Sequence, residues 1–206
     1  MDEFGAETPY WALKLHKSLK HRLDTARSFS SRIKSEAQRI KTQLGYWIRD
    51  KNEKIKIGYV YIRMDNKFFD LHDKNKFEVF KFPYKEIQNF TDSQVAKKIN
   101  KKRIDILVDL EGHNENNRMG IFAHHPSPFQ VSYLGFCGTS GAEFMEYKIV
   151  DKKLVSDKDI KYYSEQLVYI DNCDKIDDPK IAKQVVNDME KECERIIGTN
   201  KQENRE

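Results

Sequence analysis

The side chains able to do chemistry gather between His113 and Gly141. His113 follows an apolar run and a glycine. An imidazole there can serve as a general base or hydrogen-bond donor near neutral pH, or sit as a satisfied loop histidine. Gly138-Thr139-Ser140-Gly141 offers two hydroxyls and the N–H groups of a glycine-rich turn, which is the chemistry that cradles an anion. The same letters describe a plain tight turn, and on sequence alone the plain turn is favoured. Arg118 can meet a phosphate, although a surface arginine at a helix end is the simpler account. His124 and His125 are adjacent, so on a helix their side chains diverge and make a poor metal pair. Cys137 would be a reactive thiol if exposed, but nothing near it in sequence lowers its pKa. Asp65 reads as a turn aspartate, and His72 as a surface histidine in a polar loop.

These residues need a scaffold. Ile104-Asp105-Ile106-Leu107-Val108-Asp109-Leu110, closed by Gly112, predicts a buried parallel strand with a loop at its carboxyl end. Asn114 to Arg118 is polar, and Met119 to Ala123 is an apolar turn. Pro126 and Pro128 then stop any helix. Phe129 to Leu134 predicts the next strand, feeding the loop from Gly135 to Gly141. Further strands are expected at Lys54–Ile62, at Phe77–Phe82 ended by Pro83, at Tyr147–Val150 and at Gln166–Ile170. No helix-length segment is read between Ile62 and Phe77. Asp92 is expected to cap a helix running to about Lys102, with Val95, Ala96 and Ile99 inward. A short helix is expected from Ser156 to Tyr163. A last amphipathic helix, Pro179 to about Ile197, carries Ile181, Val185, Met189, Cys193 and Ile196; Gly198 closes it and a polar tail follows. The order predicts an α/β fold: a single Rossmann-like, mostly parallel sheet flanked by helices. In such sheets ligands bind at the carboxyl ends of the strands.

The chain of 206 residues is 38% hydrophobic and 34% charged, which fits one domain with an appendage. The net charge of +4 is uneven: Pro9 to Lys54 holds 12 Lys and Arg against 4 Asp and Glu, leaving −4 on the remainder. That basic segment predicts a long amphipathic helix, Tyr10 to Arg49, with a seam of Leu19, Leu23, Ala26, Ser30, Ile33, Ala37, Ile40, Leu44 and Trp47. Like charges along its flanks disfavour self-pairing. Docking on its own domain is the leading reading, ahead of an acidic partner or an anionic membrane face; nucleic acid is the weakest. No apolar run approaches the ~20 residues of a membrane span, and no signal peptide is read at the start. Three cysteines without metal-ligand spacing read as reduced thiols, so a cytoplasmic or nucleocytoplasmic setting is expected, without metal.

The letters carry more than their pattern. Asp105 to Leu110 with Gly112-His113 is followed in order by Arg118, Ile121-Phe122-Ala123, Pro126, Pro128, Gln130-Val131, Tyr133-Leu134-Gly135-Phe136, Gly138 to Ala142, Phe144-Met145 and Tyr163-Ser164-Glu165-Gln166-Leu167-Val168-Tyr169. This series resembles the protein O-GlcNAc transferase family over residues 54 to 171. The resemblance implies transfer of N-acetylglucosamine from UDP-GlcNAc, as donor substrate, to Ser or Thr of a protein acceptor. It places Leu134 and Gly135 beside the sugar. It also implies that residues 53–172 are the N-terminal, acceptor-side half of a catalytic region, between a basic helix and linker (1–52) and a C-terminal helix and tail (173–206). The stretch around the paired prolines is then expected to form one wall of a sugar-transfer cleft. The family's second lobe, which holds UDP, would follow Tyr169, and the residues after it here are too few to build one. Three departures stand out: His125 and Ser127 around the prolines, Cys137 where the family has proline, and no His-Pro after the first strand. Two functions remain open: the acceptor-side lobe of a glycosyltransferase, or a non-catalytic glycosyltransferase-like scaffold.

Overall fold

The computed structural model describes residues 53–203, and side chains up to residue 198. The basic helix expected over Tyr10–Arg49 lies outside the described residues.

Strand β1 (Ile55–Tyr61) leads through helix α1 (Asn66–Asp70) to β2 (Phe77–Pro83). Helices α2 (Tyr84–Ile87) and α3 (Asp92–Lys102) then carry the chain to β3 (Ile106–Asp109). Helix α4 (Met119–Phe122) precedes β4 (Phe129–Ser132). Strand β5 (Tyr147–Val150), a 3-10 turn (Ile160–Tyr162), β6 (Gln166–Tyr169) and α5 (Pro179–Glu203) complete the order. Among the described residues, six strands form one sheet in the order β2-β1-β3-β4-β5-β6, every neighbouring pair parallel. The expected α/β class and its Rossmann-like parallel sheet are what the structure shows.

Alternation along the strands divides the core between two faces. Ile57, Tyr59, Ile106, Val108, Val131 and Tyr133 face one side, where Phe68 and Phe69 of α1 and Val185, Val186, Met189, Cys193 and Ile196 of α5 cover them. Val60 and Leu107 face the other side, against Val95, Ala96 and Ile99 of α3 and Ile121 and Phe122 of α4. Parallel strands buried on both faces explain why Ile106 to Leu110 reads as a nearly unbroken apolar run.

Some local expectations change. The β1–β2 connection, read as having no helix, contains α1. Asp65 accepts from the Lys67 N–H at 2.9 Å to cap it, and adjacent Phe68 and Phe69 both enter the core. Thr91, not Asp92, caps α3, in a reciprocal capping box with Gln94. Only a 3-10 turn forms between Ser156 and Tyr163. Gly198 does not end the last helix, which runs on to Glu203.

The largest correction is His72. It is 4% exposed rather than a surface residue, because α5 closes over it. Its Nδ1 lies 3.0 Å from Glu190 of α5 and its Nε2 lies 2.9 Å from the Tyr59 hydroxyl. Glu190 also accepts the Asp73 N–H at 2.8 Å. Burial lowers the His72 pKa and outweighs the opposing pull of Glu190.

Candidate active site

The chain adds β2 to one side of β1 and then returns to place β3 on the other. At that switch point the two outgoing loops diverge and leave a crevice at the carboxyl edge. A cleft of ≈ 760 Å³ lies there. Tyr61 and Ile62 after β1, Leu110 and Glu111 after β3, and Leu134 and Gly135 after β4 line it. Its charged groups are of both signs: Arg63 and Lys85 against Asp65, Glu111 and Asp177.

Backbone approach defines the inner wall. Leu134 and Gly135 both adopt left-handed conformations, with φ of 55° and 53°, and the Phe136 N–H turns back onto the Leu134 carbonyl at 2.5 Å. A Cβ on Gly135 would lie 2.5 Å from the Leu110 carbonyl oxygen and 2.6 Å from that of Glu111, so only glycine fits. Gly112, with φ of 58°, meets Phe136 in the same way: its Cβ would stand 2.7 Å from that of Phe136. The loops after β3 and β4 therefore interlock, and the Asn114 side-chain amide donates to the Gly135 carbonyl at 3.0 Å.

Charged side chains at the strand ends hold these loops. Asp109 is 1% exposed and accepts the N–H groups of Glu111 (3.1 Å) and Gly112 (3.0 Å). Burial raises its pKa to about 6, although those two N–H groups and Lys148 pull the other way. Glu111 accepts the Ile62 N–H at 2.6 Å and so ties the loop after β1 to the loop after β3. Lys148 of β5 is also buried. It donates to Ser132 Oγ at 3.0 Å and to the Phe136 carbonyl at 2.9 Å. Burial lowers its pKa, against the pull of Glu165 and Asp109.

Residues 46–205 match the model of glycosyl transferase family 41. The chain belongs to that family. Among the relatives of this family-41 chain is the probable UDP-N-acetylglucosamine–peptide N-acetylglucosaminyltransferase SEC of Arabidopsis thaliana, 31% identical over 163 residues, which are 66% of this chain and 17% of that protein. The similarly named SPINDLY protein of Arabidopsis thaliana is 35% identical over 91 residues, 44% of this chain and 10% of that one. Among solved structures, a mutant of the O-GlcNAc transferase of Thermobaculum terrenum superposes with a TM-score of 0.53 at 26% identity, over 59% of this chain and 28% of that chain. The family-41 chain thus spans a minor part of the relatives it matches.

Of the residues expected to form the site of this family-41 lobe, the structure brings Leu134 and Gly135 into the cleft. The others lie beside it. Glu165, 5% exposed, accepts the Ser140 N–H at 2.7 Å, the Thr139 hydroxyl at 2.7 Å and the Ser164 hydroxyl at 3.1 Å. The Gly141 N–H goes to Thr139 Oγ1 at 3.0 Å. The loop from Gly138 to Gly141 does surround an anion, and that anion is the chain's own carboxylate. Burial alone would raise the Glu165 pKa, but the hydrogen bonds from Ser140 and Thr139 hold it below the usual range. His113 does not line the cleft; its Nε2–H donates to the Ser140 carbonyl at 2.9 Å, and its ring meets Phe136 edge-on at 5.0 Å.

The paired prolines stand elsewhere. Pro126 and Pro128 precede β4 at the amino edge of the sheet, where Asn100 of α3 donates to the Pro126 carbonyl at 3.3 Å. They are not a wall of the cleft. Arg118 donates to Asp92 at 2.7 Å and to the carbonyls of Ile87 (2.9 Å) and Phe90 (2.8 Å), locking α2 and α3 rather than facing a ligand. Cys137 is an exposed free thiol, whereas Cys173 and Cys193 are buried. Among the described residues no cluster of His, Cys, Asp and Glu is disposed to hold a metal ion. Sequence reasoning missed Asp109, Glu111 and Lys148. The usable signal was an ionisable side chain inside or just beyond an apolar strand, where burial demands a partner.

Proposed function

We propose that this chain supplies the acceptor-side lobe of a glycosyltransferase that moves N-acetylglucosamine from UDP-GlcNAc to Ser or Thr of a protein. The observation that carries this reading is the cleft at the switch point, with the turn at Leu134 and Gly135 as its inner wall. The names of the SEC and SPINDLY relatives support the donor and the peptide acceptor. In this reading Leu134 and Gly135 meet the sugar. Glu165 holds Thr139 and Ser140, and His113 holds Ser140, so these residues shape the loop rather than touch the donor. Asp109 and Lys148 fix the loops from beneath. The nucleotide is bound by a lobe outside the matched residues, because charge developing on a leaving UDP needs donors gathered on both sides.

The chain's lobe excludes water from one side of the sugar and orients it, which is a positioning contribution. A second reading, a glycosyltransferase-like interaction module, is favoured by one observation: among the described residues no histidine lines the cleft, since residues 63 to 66 run straight into α1. Among the described residues no helix is long and apolar enough to cross a membrane. We infer a cytoplasmic or nucleocytoplasmic setting from its free thiols.

Calorimetry with UDP-GlcNAc and with UDP tests the two readings. Saturable binding of UDP-GlcNAc that is weakened by Leu134→Ala supports the transferase lobe. Absence of binding at any concentration reached leaves the interaction module.

A further inference from the structure

Helix α3 is held in one rotational setting. The capping box fixes its first turn, Arg118 grips Asp92, and Val95, Ala96 and Ile99 are buried against the sheet. Lys97, Lys98, Lys101 and Lys102 are consequently all turned outward and exposed. At 100° per residue the four cover an arc of about 140° of the solvent face of the helix. No acidic residue occurs from Ser93 to Ile104.

Single exposed lysines such as Lys152, Lys158 and Lys161 also have no ion pair to a carboxylate of the described residues, but where cations crowd a helix face acidic residues are interleaved with them. On α5, Lys191 meets Asp188 at 2.8 Å and Arg195 meets Glu192 at 2.7 Å, while Lys76 reaches Glu194 at 3.0 Å. On α3, no ammonium of the four is paired with a carboxylate of the described residues. Lys98 instead lies over the Phe90 ring, 3.2 Å from its centroid. Attraction to the carboxyl end of the helix accounts for Lys101 and Lys102 in the last turn but not for Lys97 and Lys98. The lysines stand on a chain whose residues outside Pro9–Lys54 sum to −4. The carboxyl end of α3 reaches the amino edge of the sheet, away from the cleft.

We propose that the outward face of α3 is a docking surface for an acidic polypeptide. Lysines four residues apart on a helix are separated by about 6 Å along its axis. Alternate carboxylates on an extended peptide are separated by about 6.6 Å, so the two rows can meet without distortion. The two rings beside the row, Phe90 and Phe80, each carry one of its own ammoniums, Lys98 at 3.2 Å and Lys102 at 5.8 Å from the centroid, so the row lacks the series of free rings on which successive bases stack. The inference stands independently of the transferase reading.

The test uses the full chain and a labelled peptide of alternating Glu and Ser, with zero-length carboxylate-to-amine crosslinking mapped by mass spectrometry. Crosslinks are expected at Lys97, Lys98, Lys101 and Lys102. The variant K97E/K98E/K101E/K102E should lose them and bind about tenfold more weakly, while K152E/K158E stays within about twofold. Raising salt from about 50 mM to about 200 mM should weaken the wild-type complex by a similar factor. All the substituted side chains are exposed, and circular dichroism of each variant checks that it is folded. Crosslinks confined to other lysines, equal binding by the four-site variant, or tighter binding of single-stranded DNA or phosphatidylserine vesicles than of the peptide would each overturn the proposal.

Discussion

Gly135 turns the place of its missing side chain toward Leu110, where an added Cβ would stand 2.5 Å from the carbonyl oxygen. The contact joins the loops after β3 and β4, and with them the inner wall of the cleft. Gly135→Ala should therefore destabilise the chain by about 2 kcal/mol or more, since the loops must separate and an alanine must hold a left-handed conformation. Urea denaturation measures this. An unchanged midpoint would mean that the two loops are not interlocked in solution.

Burial of Asp109 sets the sign of its contribution to the pH dependence of the fold. Burial raises its folded pKa from 3.8 to about 6, so the folded state binds a proton more tightly than the unfolded state. The stabilisation is fully present below 3.8 and is lost as pH rises through about 6, a change of about 3 kcal/mol. Asp109→Asn should lack this slope. Stability of the two proteins, compared from pH 4 to 7, should show the wild type losing ground to the variant as pH rises.

His72 acts in the opposite direction. Burial lowers its folded pKa below 6.5, so protons favour the unfolded chain. Its contribution is present above 6.5 and falls away as pH drops toward the folded value. His72→Gln should remove this decline, and Glu190→Gln should steepen it by taking away the carboxylate that pulls the pKa up. Because Asp109 titrates nearby with the reverse sign, each effect is read from a variant-minus-wild-type difference. A Glu190→Gln protein with the wild-type pH profile would contradict the assigned pairing.

Glu165 fills the concave side of the loop from Gly138 to Gly141. Glu165→Ala leaves the Ser140 N–H and the Thr139 hydroxyl without their acceptor, which should cost about 2 kcal/mol. Amide exchange should quicken at Ser140 and Gly141 while Leu107 in the central strand stays protected. Equal protection of Ser140 in both proteins would show that its N–H has another acceptor.

The sequence was legible where a single period dominates. Helix α3 ends where expected and begins one residue early, because Val95, Ala96 and Ile99 mark one face, and β5 matches because Tyr147–Val150 is a bounded apolar run. It was opaque where meaning depends on a distant partner. His72 sits among Asp70, Asp73 and Lys74 and looks solvated, yet its partner Glu190 lies 118 residues away. The loop from Gly138 to Gly141 shows donors, but the acceptor that occupies them comes 25 residues later. Helix α1 was missed because side-by-side Phe68 and Phe69 lack the three-to-four spacing of an amphipathic helix. The paired prolines carried the family resemblance but not the cleft, since motif letters do not say which edge of a sheet they occupy.

The direct test of the cleft is a backbone amide NMR titration of the full chain with N-acetylglucosamine and with UDP-GlcNAc. The account predicts saturable shifts at Glu111, Leu134 and Gly135, with Kd of about 1 to 10 mM for a half-enclosed sugar. Amides of α3 and of Ile196 in α5 should stay in place. Shifts that never saturate, or that fall on other residues while Leu134 and Gly135 remain unmoved, would contradict a sugar site at the turn after β4.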